Sequence, residues 1–375
     1  MHKILCIAGA RPNFMKVAPL FKALRTDTLF DPILVHTGQH YDHKMSGEFL
    51  KDLAIPEPKH HLNVGSGSHA QQTGELMKRF EPVVIEEQPH AIIVVGDVNS
   101  TMACALVAKK LGVNVVHIEA GLRSFDRTMP EEINRLVTDA ISDLLLVSEE
   151  SGCRNLLAEG IPSNKIHLVG NLMIDSLRQN LEAAKRMDTL RRLEIEGRPY
   201  GVVTLHRPAN VDSPAQFEEI LEALNTIAQQ LPLYFPVHPR TKARLENGRD
   251  TPTNGRLHFI EPLGYLDFLC LMSSSQIVLT DSGGIQEETT ALGIPCLTLR
   301  NNTERPITIE EGTNILAGTT KEGILSAWAS MNRERRAGGV PKYWDGQAAE
   351  RCRIVLEDFF ASESQGVGAI AAVSN

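Results

Sequence analysis

Three acidic residues in the first half of the chain lie at the ends of predicted strands or at the start of a predicted helix. Asp97 comes directly after the apolar run 91–95, and Glu119 comes after the apolar run 113–118, so each ends a predicted buried strand. The carboxyl ends of parallel strands meet at one edge of a sheet, where ligands bind. Glu131 opens a predicted helix, where an acid is ordinary by itself. Since Asp97 and Glu119 share an edge, the pattern favours a site.

Basic side chains are predicted to reach the same edge. Arg11 and Lys16 flank the turn between the first predicted strand and its helix, where a phosphate or a carboxylate could meet them. Arg123 and Arg135 lie close in sequence to the acids. Any one of these residues alone is more often a solvated surface charge.

A phosphate-binding pattern follows a predicted strand in the second half. Ser282, Gly283 and Gly284 join the strand 276–280 to a helix, so their N–H groups would face outward at the positive end of the helix dipole. Glu288 lies one turn further on, within reach of ribose hydroxyls. A capped tight turn would explain the glycines but not the acids, and this favours a diphosphate site.

Two histidines also follow predicted strands of the second half. His206 is followed by Arg207, and His238 is followed by Pro239 and Arg240. Such a histidine is usually a structural hydrogen-bonding group. The arginine and the turn beside His206 make a ligand role at least as probable there.

The positioning elements alternate between strand and helix six or seven times before Gly170, and a second series starts near Gly201. This alternation predicts an α/β fold with parallel sheets and right-handed crossovers. A chain of 375 residues is long enough for two cores. We therefore expect an N-terminal domain over 1–170, a C-terminal domain over 171–345, a final helix to about residue 361, and a flexible tail over 362–375.

Composition excludes several classes of protein. The formal net charge of −8, with no lysine- or arginine-rich run, argues against a nucleic-acid partner. No segment approaches the ~20 apolar residues of a membrane helix, and the first apolar run is too short for a signal peptide. The six cysteines are dispersed without a C-x-x-C pair, which is typical of reduced thiols. We expect a soluble, cytoplasmic protein without a membrane partner.

One stretch raises the alternative of a nicotinamide enzyme. Residues 65–70 fit the G-x-G-x-x-A dinucleotide pattern. The strand before them is short, however, and the next strand-end acid, Asp97, comes later than the ~20 residues that the fingerprint requires. We interpret the stretch as a flexible Gly/Ser loop that could close over a ligand.

Taken together, the motifs resemble those of the non-hydrolysing UDP-N-acetylglucosamine 2-epimerases. The matching blocks occur in the family's order over nearly the whole chain: Gly9–Pro12, Lys16, Gly38–His40, Gly96–Asp97, His117–Arg123, Pro130–Arg135, Thr204–Arg207, Asp281–Glu288 and Thr303–Pro306. This order is a far stronger signal than any single block.

The resemblance implies two Rossmann-like domains in a glycosyltransferase-B arrangement, with the active site in the cleft and a helix over 346–361 that packs back on the first domain. It also implies an isomerase that inverts C2 of UDP-N-acetylglucosamine to give UDP-N-acetylmannosamine, a precursor of bacterial or archaeal surface polysaccharides. Anti elimination of UDP to a 2-acetamidoglucal and re-addition of UDP would need no metal or nicotinamide cofactor. The family further suggests a homodimer.

The implied chemistry explains the number of acids. No carbonyl neighbours the C2 hydrogen, so UDP must begin to leave, and carboxylates can stabilise the positive charge at C1 and take the proton. By motif, Asp97, Glu119 and Glu131 are the acid, the base and the cation-stabilising group, with the three roles left open. His206 joins this catalytic set. The remaining residues implied to bind substrate are Arg11, Lys16, Arg123, Arg135, Arg207, His238, Phe268 near the uracil, Ser282, Gly283, Gly284, Glu288 at the ribose, and Arg305.

The sequence departs from the family pattern at several positions. Ala209 stands where many members have Glu, and the residues after Gln39–His40 differ from those of members with a second, regulatory substrate site. This argues against such regulation. Alternatives left open are the same mechanism on a UDP-2,3-diacetamido sugar or uronic acid, a UDP-sugar transferase or hydrolysing epimerase on the same architecture, and a non-catalytic sensor of nucleotide sugars.

Overall fold

The structure, a computed structural model, describes residues 1–9, 11–38, 50, 53, 55–237, 255–333 and 338–373, without the side chains of residues 11, 332, 333 and 363–373. Among the predicted site residues, His238 and the side chain of Arg11 therefore lie outside the described residues, as does the Gln39–His40 block. The chain forms two compact units, one of Met1–Ser176 with Lys342–Asn375 and the other of Leu177–Pro341.

The first unit alternates strands and helices from its first residues. Its elements are β1 (His2–Ala8), α1 (Arg11–Thr26), β2 (Phe30–His36), β3 (His60–His61), α2 (His69–Glu87), β4 (Ala91–Val95), α3 (Asn99–Lys110), β5 (Asn114–Ile118), α4 (Pro130–Ile141), β6 (Leu144–Val147), α5 (Glu150–Ala158), a 3-10 turn (Ser163–Lys165), β7 (Ile166–Leu168) and α6 (Leu172–Lys185), which begins in this unit.

The first sheet is parallel throughout, in the order β3-β2-β1-β4-β5-β6-β7. Its central strands are continuous apolar runs because helices cover both faces of such a sheet, and all five residues of β4 are buried. The strand order reverses between β1 and β4, so the switch point lies where these strands end. That edge carries the turns after β4 and β5.

The second unit repeats this design. Its elements are α7 (Thr189–Arg192), β8 (Gly201–Thr204), α8 (Pro208–Val211), α9 (Pro214–Ala228), β9 (Leu233–Pro236), β10 (Leu257–Ile260), α10 (Tyr265–Ser273), β11 (Ile277–Thr280), α11 (Gly283–Leu292), β12 (Cys296–Thr298), α12 (Ile307–Glu310), β13 (Asn314–Leu316) and α13 (Lys321–Arg333). The parallel sheet has the order β10-β9-β8-β11-β12-β13, with its switch point between β8 and β11. The predicted α/β class with two Rossmann-like units is confirmed.

The chain returns to the first unit through α14 (Ala348–Val373). The carboxylate of Asp175 accepts hydrogen bonds from the N–H groups of Ala348 and Ala349, at 3.1 and 2.7 Å, and so caps the start of this helix. The buried Trp344 donates its indole N–H to the carbonyl of Ser148 at 3.1 Å. These contacts fasten the returning segment to the first unit.

Two helices differ from their predicted bounds. The helix expected to end near residue 361 continues to Val373, in a segment that contains no Pro. The polar stretch 173–195 predicts a single helix, but the structure divides it into α6 and α7. Thr189, at the start of α7, donates a hydrogen bond to Asp267 of α10, and this contact fixes α7 separately. No helix in the described part of the chain is long and apolar enough to cross a membrane.

Candidate active site

Asp97 lies in the turn after β4 and is held by an arginine of α4. Arg135 donates from Nε and Nη2 to Oδ2 of Asp97, at 3.0 and 2.7 Å. Gly96, at φ 68°, makes the turn possible, since a left-handed backbone suits glycine. Asn134 donates to the Asp97 carbonyl at 2.9 Å. The predicted pair of Asp97 and Arg135 is thus one ion pair with a fixed backbone.

Glu119 lies in the turn after β5 and is paired with a lysine of α1. Lys16 Nζ is 2.5 Å from Oε2 of Glu119, and both side chains are buried. Glu119 has φ 64°, a conformation that is costly for a residue with a Cβ and that occurs mainly where the surroundings enforce it. A Cβ added to Gly96 would lie 3.4 Å from Oε2 of Glu119, so the turns of Asp97 and Glu119 are adjacent.

The two acids at the start of α4 have different surroundings. The buried Glu132 accepts hydrogen bonds from the N–H groups of Ser124 and Phe125, each at 3.0 Å, and is also paired with Arg135. Glu132 therefore fixes the loop before α4. Glu131 is half-buried and forms no ion pair with another residue that the structure describes. Its carboxylate is the most available of the predicted acids.

Arg123 belongs to a buried ionic group behind the turns. Its Nη2 is 2.7 Å from Asp139 and 2.6 Å from Glu159. Asp139 also contacts His117 Nδ1 at 2.6 Å. Burial tends to raise the pKa of Asp139, but His117 and Arg123 outweigh it and hold this pKa below its usual range. The Arg123 guanidinium is directed at carboxylates of its own unit.

In the second unit, Asp281 organises the turn that follows β8. Its buried carboxylate accepts from the backbone N–H groups of His206 and Arg207, at 3.1 and 3.0 Å, and contacts His206 Nδ1 at 2.9 Å. Burial alone would raise the pKa of Asp281, but the bonds to His206, Arg207 and Asn210 lower it. The His206 side chain is 63% exposed, so its other ring nitrogen can meet a ligand.

The predicted diphosphate loop forms the start of α11. Ser282 occupies the N-cap position without a side-chain cap, and the first N–H groups of any helix lack partners inside it. A Cβ at Gly283 would lie 2.9 Å from Oε1 of Glu304, so a larger residue there would have to displace this carboxylate. Glu304 is paired with Arg207 at 3.3 Å and with Arg300 at 2.8 Å. The Ser282 N–H donates to Thr280 Oγ1 at 3.0 Å. Two arginines and the first N–H groups of α11 are thus gathered at the switch point of this unit.

The remaining predicted ligands of the second unit are partly or fully buried. Phe268 is half-buried in α10. Arg305 is paired through Nε with the buried Glu287 at 2.6 Å. Glu288 is buried 3.4 Å from the Tyr265 hydroxyl, and its burial, together with the charge of Glu287, raises its pKa to about 8.

The structure therefore brings the predicted residues together in two separate groups, one in each unit. Asp97, Glu119, Lys16 and Arg135 contact one another in pairs at the edge of the first sheet. Sequence reasoning missed four residues that hold these groups in place: His117, Glu132, Asp139 and Asp281. Asp281 ends a strand beside β8, and this signal could have identified it. Asp139 lies inside a helix, where the sequence carries no comparable signal.

Residues 22–357 match the family model described as UDP-N-acetylglucosamine 2-epimerase. The UDP-N-acetylglucosamine 2-epimerase of Methanocaldococcus jannaschii is 43% identical over 362 residues, which cover 94% of this chain and 98% of that protein. The UDP-2,3-diacetamido-2,3-dideoxy-D-glucuronate 2-epimerase of Pseudomonas aeruginosa is 41% identical, with 93% and 98% covered.

A solved structure is similar over the same length. The crystal structure of the Methanocaldococcus jannaschii UDP-GlcNAc 2-epimerase in complex with UDP-GlcNAc and UDP has 42% sequence identity and a TM-score of 0.87. The alignment covers 95% of this chain and 99% of that chain. The likeness thus extends through both units.

Proposed function

The chain belongs to the UDP-N-acetylglucosamine 2-epimerase family, and from this premise we propose that it interconverts UDP-N-acetylglucosamine and UDP-N-acetylmannosamine. The observation that carries the proposal is the adjacent placement of two cation-paired carboxylates, the half-buried Asp97 and the buried Glu119, at the switch point of the first sheet. Family members named as epimerases of UDP-sugars support the same substrate class.

The proposed reaction begins with loss of UDP. The C1–O bond breaks with its electron pair going to UDP, while a carboxylate takes the C2 proton and the C1=C2 double bond of 2-acetamidoglucal forms. UDP then adds back to C1, and C2 receives a proton on the opposite face. Asp97, Glu119 and Glu131 stabilise the positive charge near C1 and exchange the proton.

The second unit binds the nucleotide in this proposal. Ser282, Gly283 and Gly284 bind the diphosphate at the start of α11, where backbone N–H groups donate hydrogen bonds to it, and His206 balances its charge. Glu288 takes the ribose hydroxyls, and Phe268 packs near the uracil. Arg11, Lys16, Arg135, Arg207, His238 and Arg305 complete the proposed set, whereas the Arg123 guanidinium is occupied by Asp139 and Glu159.

The test is incubation with UDP-N-acetylglucosamine in deuterium oxide, followed by proton NMR. We expect deuterium at C2 and a new UDP-N-acetylmannosamine signal. The Asp97→Asn and Glu119→Gln variants should lose both, whereas Glu86→Gln, which changes an exposed acid of α2, should keep both. Wild-type protein that produces neither signal, or that releases free UDP and free sugar in stoichiometric amounts, would refute the proposal.

A second substrate is favoured by one comparison. The Pseudomonas aeruginosa relative, named for a diacetamido glucuronate, is 41% identical, close to the 43% of the Methanocaldococcus jannaschii relative. The same assay with a panel of UDP-sugars distinguishes the two candidate substrates. Faster deuterium uptake into the diacetamido uronic acid than into UDP-N-acetylglucosamine would assign this chain to the second substrate.

The proposal extends to a cytoplasmic homodimer that supplies precursors of surface polysaccharides. The six unpaired cysteines support a reducing compartment. Light scattering after size-exclusion chromatography should give twice the chain mass of 41.3 kDa. A single-chain mass at micromolar concentration would contradict the dimer without affecting the epimerase assay.

A further inference from the structure

A buried hydrogen-bonded pair contacts the backbone of both acid-bearing turns. His117 Nε2 is 2.8 Å from the carbonyl oxygen of Gly96, the residue before Asp97. His117 Nδ1 is 2.6 Å from Oδ1 of Asp139. Oδ2 of Asp139 accepts from the N–H of Gly121 at 3.0 Å, two residues after Glu119. One His–Asp pair thus links the two turns.

The partners of His117 determine where its protons lie. The Gly96 carbonyl can only accept a hydrogen bond, so Nε2 carries a proton. Nδ1 of His117 faces the Asp139 carboxylate, whose pKa His117 and Arg123 hold below its usual range despite its burial. The fully buried side chain of His117 is therefore held through both ring nitrogens.

The carboxylate of Asp139 is also held by a cation. Asp139 lies between His117 and Arg123, and Arg123 also donates to Glu159 at 2.8 and 2.6 Å. Pairing of this kind lets ionic groups remain charged away from water.

The Glu119 turn needs such support because the backbone of Glu119 is unfavourable. Glu119 has φ 64°, although it carries a Cβ, whereas Gly121, at φ 79°, has a conformation that suits glycine. A Cβ at Gly121 would lie 2.4 Å from the carbonyl oxygen of Gly152, so this turn is also packed tightly against α5. Strained conformations of this kind persist where neighbouring groups hold them.

We propose that His117 and Asp139 are positioning residues for the epimerisation. They fix the Gly96–Asp97 peptide through one hydrogen bond and the Glu119–Gly121 turn through another, and so set the separation of the two carboxylates that handle the sugar. The inference rests on the proposed roles of Asp97 and Glu119. Neither positioning residue touches the substrate; both act through backbone groups.

The test compares Asp139→Asn and His117→Gln with a matched control in the full-length protein. Glu87→Gln removes the charge from another carboxylate–histidine contact of the first unit, between the buried Glu87 and the half-buried His60 at 2.6 Å, and from the pairs of Glu87 with Lys3 and Lys59. We expect kcat for C2 deuterium exchange to fall about 10- to 100-fold in the two positioning variants, as for other residues that orient functional groups through a second contact. KM and the Kd of UDP should stay within about 3-fold of wild type.

The control separates positioning from general stability. Glu87→Gln should lower Tm yet keep kcat. Equal losses of kcat in Glu87→Gln and Asp139→Asn, or wild-type kcat in folded Asp139→Asn and His117→Gln, would overturn the inference. If Asp97→Asn and Glu119→Gln keep their activity, the proposed site fails instead.

Nitrogen-15 NMR of histidine-labelled wild type gives a readout that needs no folded variant. We expect one ring, identified by its contact to Gly96, with a proton on Nε2. A ring without a proton on Nε2 at this position would overturn the inference, because it could not then donate to the Gly96 carbonyl.

Discussion

Replacing Lys16 with methionine tests whether the buried pair of Lys16 and Glu119 is the framework of the candidate site. The substitution keeps an unbranched chain of similar length and removes the ammonium that lies 2.5 Å from Glu119. Lys16 is 7% exposed and Glu119 is 5% exposed, so water cannot replace the lost partner. Removing one member of a buried pair costs about 3–5 kcal/mol.

This cost should be visible in calorimetry of the full-length protein. A unit of this size loses about 2–4 °C of Tm per kcal/mol, so the first unit should melt roughly 6–20 °C lower. The double variant Lys16→Met/Glu119→Gln removes both charges, and we expect it to recover most of the lost Tm. The epimerase activity of the double variant should be near zero, because it lacks the Glu119 carboxylate.

Two results would refute this reasoning. A Tm for Lys16→Met within about 2 °C of wild type would mean that less than roughly 1 kcal/mol depends on the pair. A double variant less stable than Lys16→Met would mean that the two side chains are not energetically coupled, since coupled partners give non-additive losses.

Three further predictions concern single side chains. Burial and the charge of Glu287 raise the pKa of Glu288 to about 8. The folded protein therefore binds more protons than the unfolded chain between about pH 4.5 and 8, so the free energy of unfolding falls as pH rises through this range. Glu288→Gln should therefore gain several degrees of Tm relative to wild type at pH 8 and little at pH 5, and an equal gain at both values would contradict the assignment. His206→Ala should leave Tm within about 2 °C of wild type, because the His206 side chain is 63% exposed. The substitution should lower kcat/KM at least ~100-fold in the NMR assay, and an unchanged kcat/KM would show that His206 is not part of the site. At pH 8, iodoacetamide should label Cys153 alone in the native protein, because Cys153 is half-buried whereas the other five cysteines are buried. Burial raises the pKa of all six thiols, that of Cys6 to about 12, and rapid labelling of Cys6, detected by mass spectrometry, would show that this core opens.

The sequence predicts most strands of both sheets because they are short apolar runs ending in a turn, whereas β3, the pair His60–His61, is not such a run and was not predicted. The acids that end β4 and β5 were identified for the same reason, and the structure places Asp97 and Glu119 in adjacent turns. A strand end is determined by residues close together in the chain, so it can be recognised from a single sequence. The parallel alternation then determines which edge the acids share.

Side-chain partners were harder to predict, because they depend on contacts between elements. Arg123 was expected to bind substrate, yet its donors are directed at Asp139 and Glu159. Asp139 lies in the last turn of α4, and an acid in an amphipathic helix is usually on the solvated face. Nothing local indicates that it faces His117, since that contact requires β5 and α4 to pack first.

The capping of α14 by Asp175 has a consequence for synthesis on the ribosome. Residues 177–341 are contiguous and can fold as soon as they emerge, whereas the first unit lacks Trp344 and α14 until the last segment leaves the exit tunnel. While residues 177–341 are translated, the first unit therefore lacks α14, and Asp175 has no helix start to cap. Premature termination after residue 341 should leave a product whose C-terminal half is native and whose N-terminal half is a target for proteases.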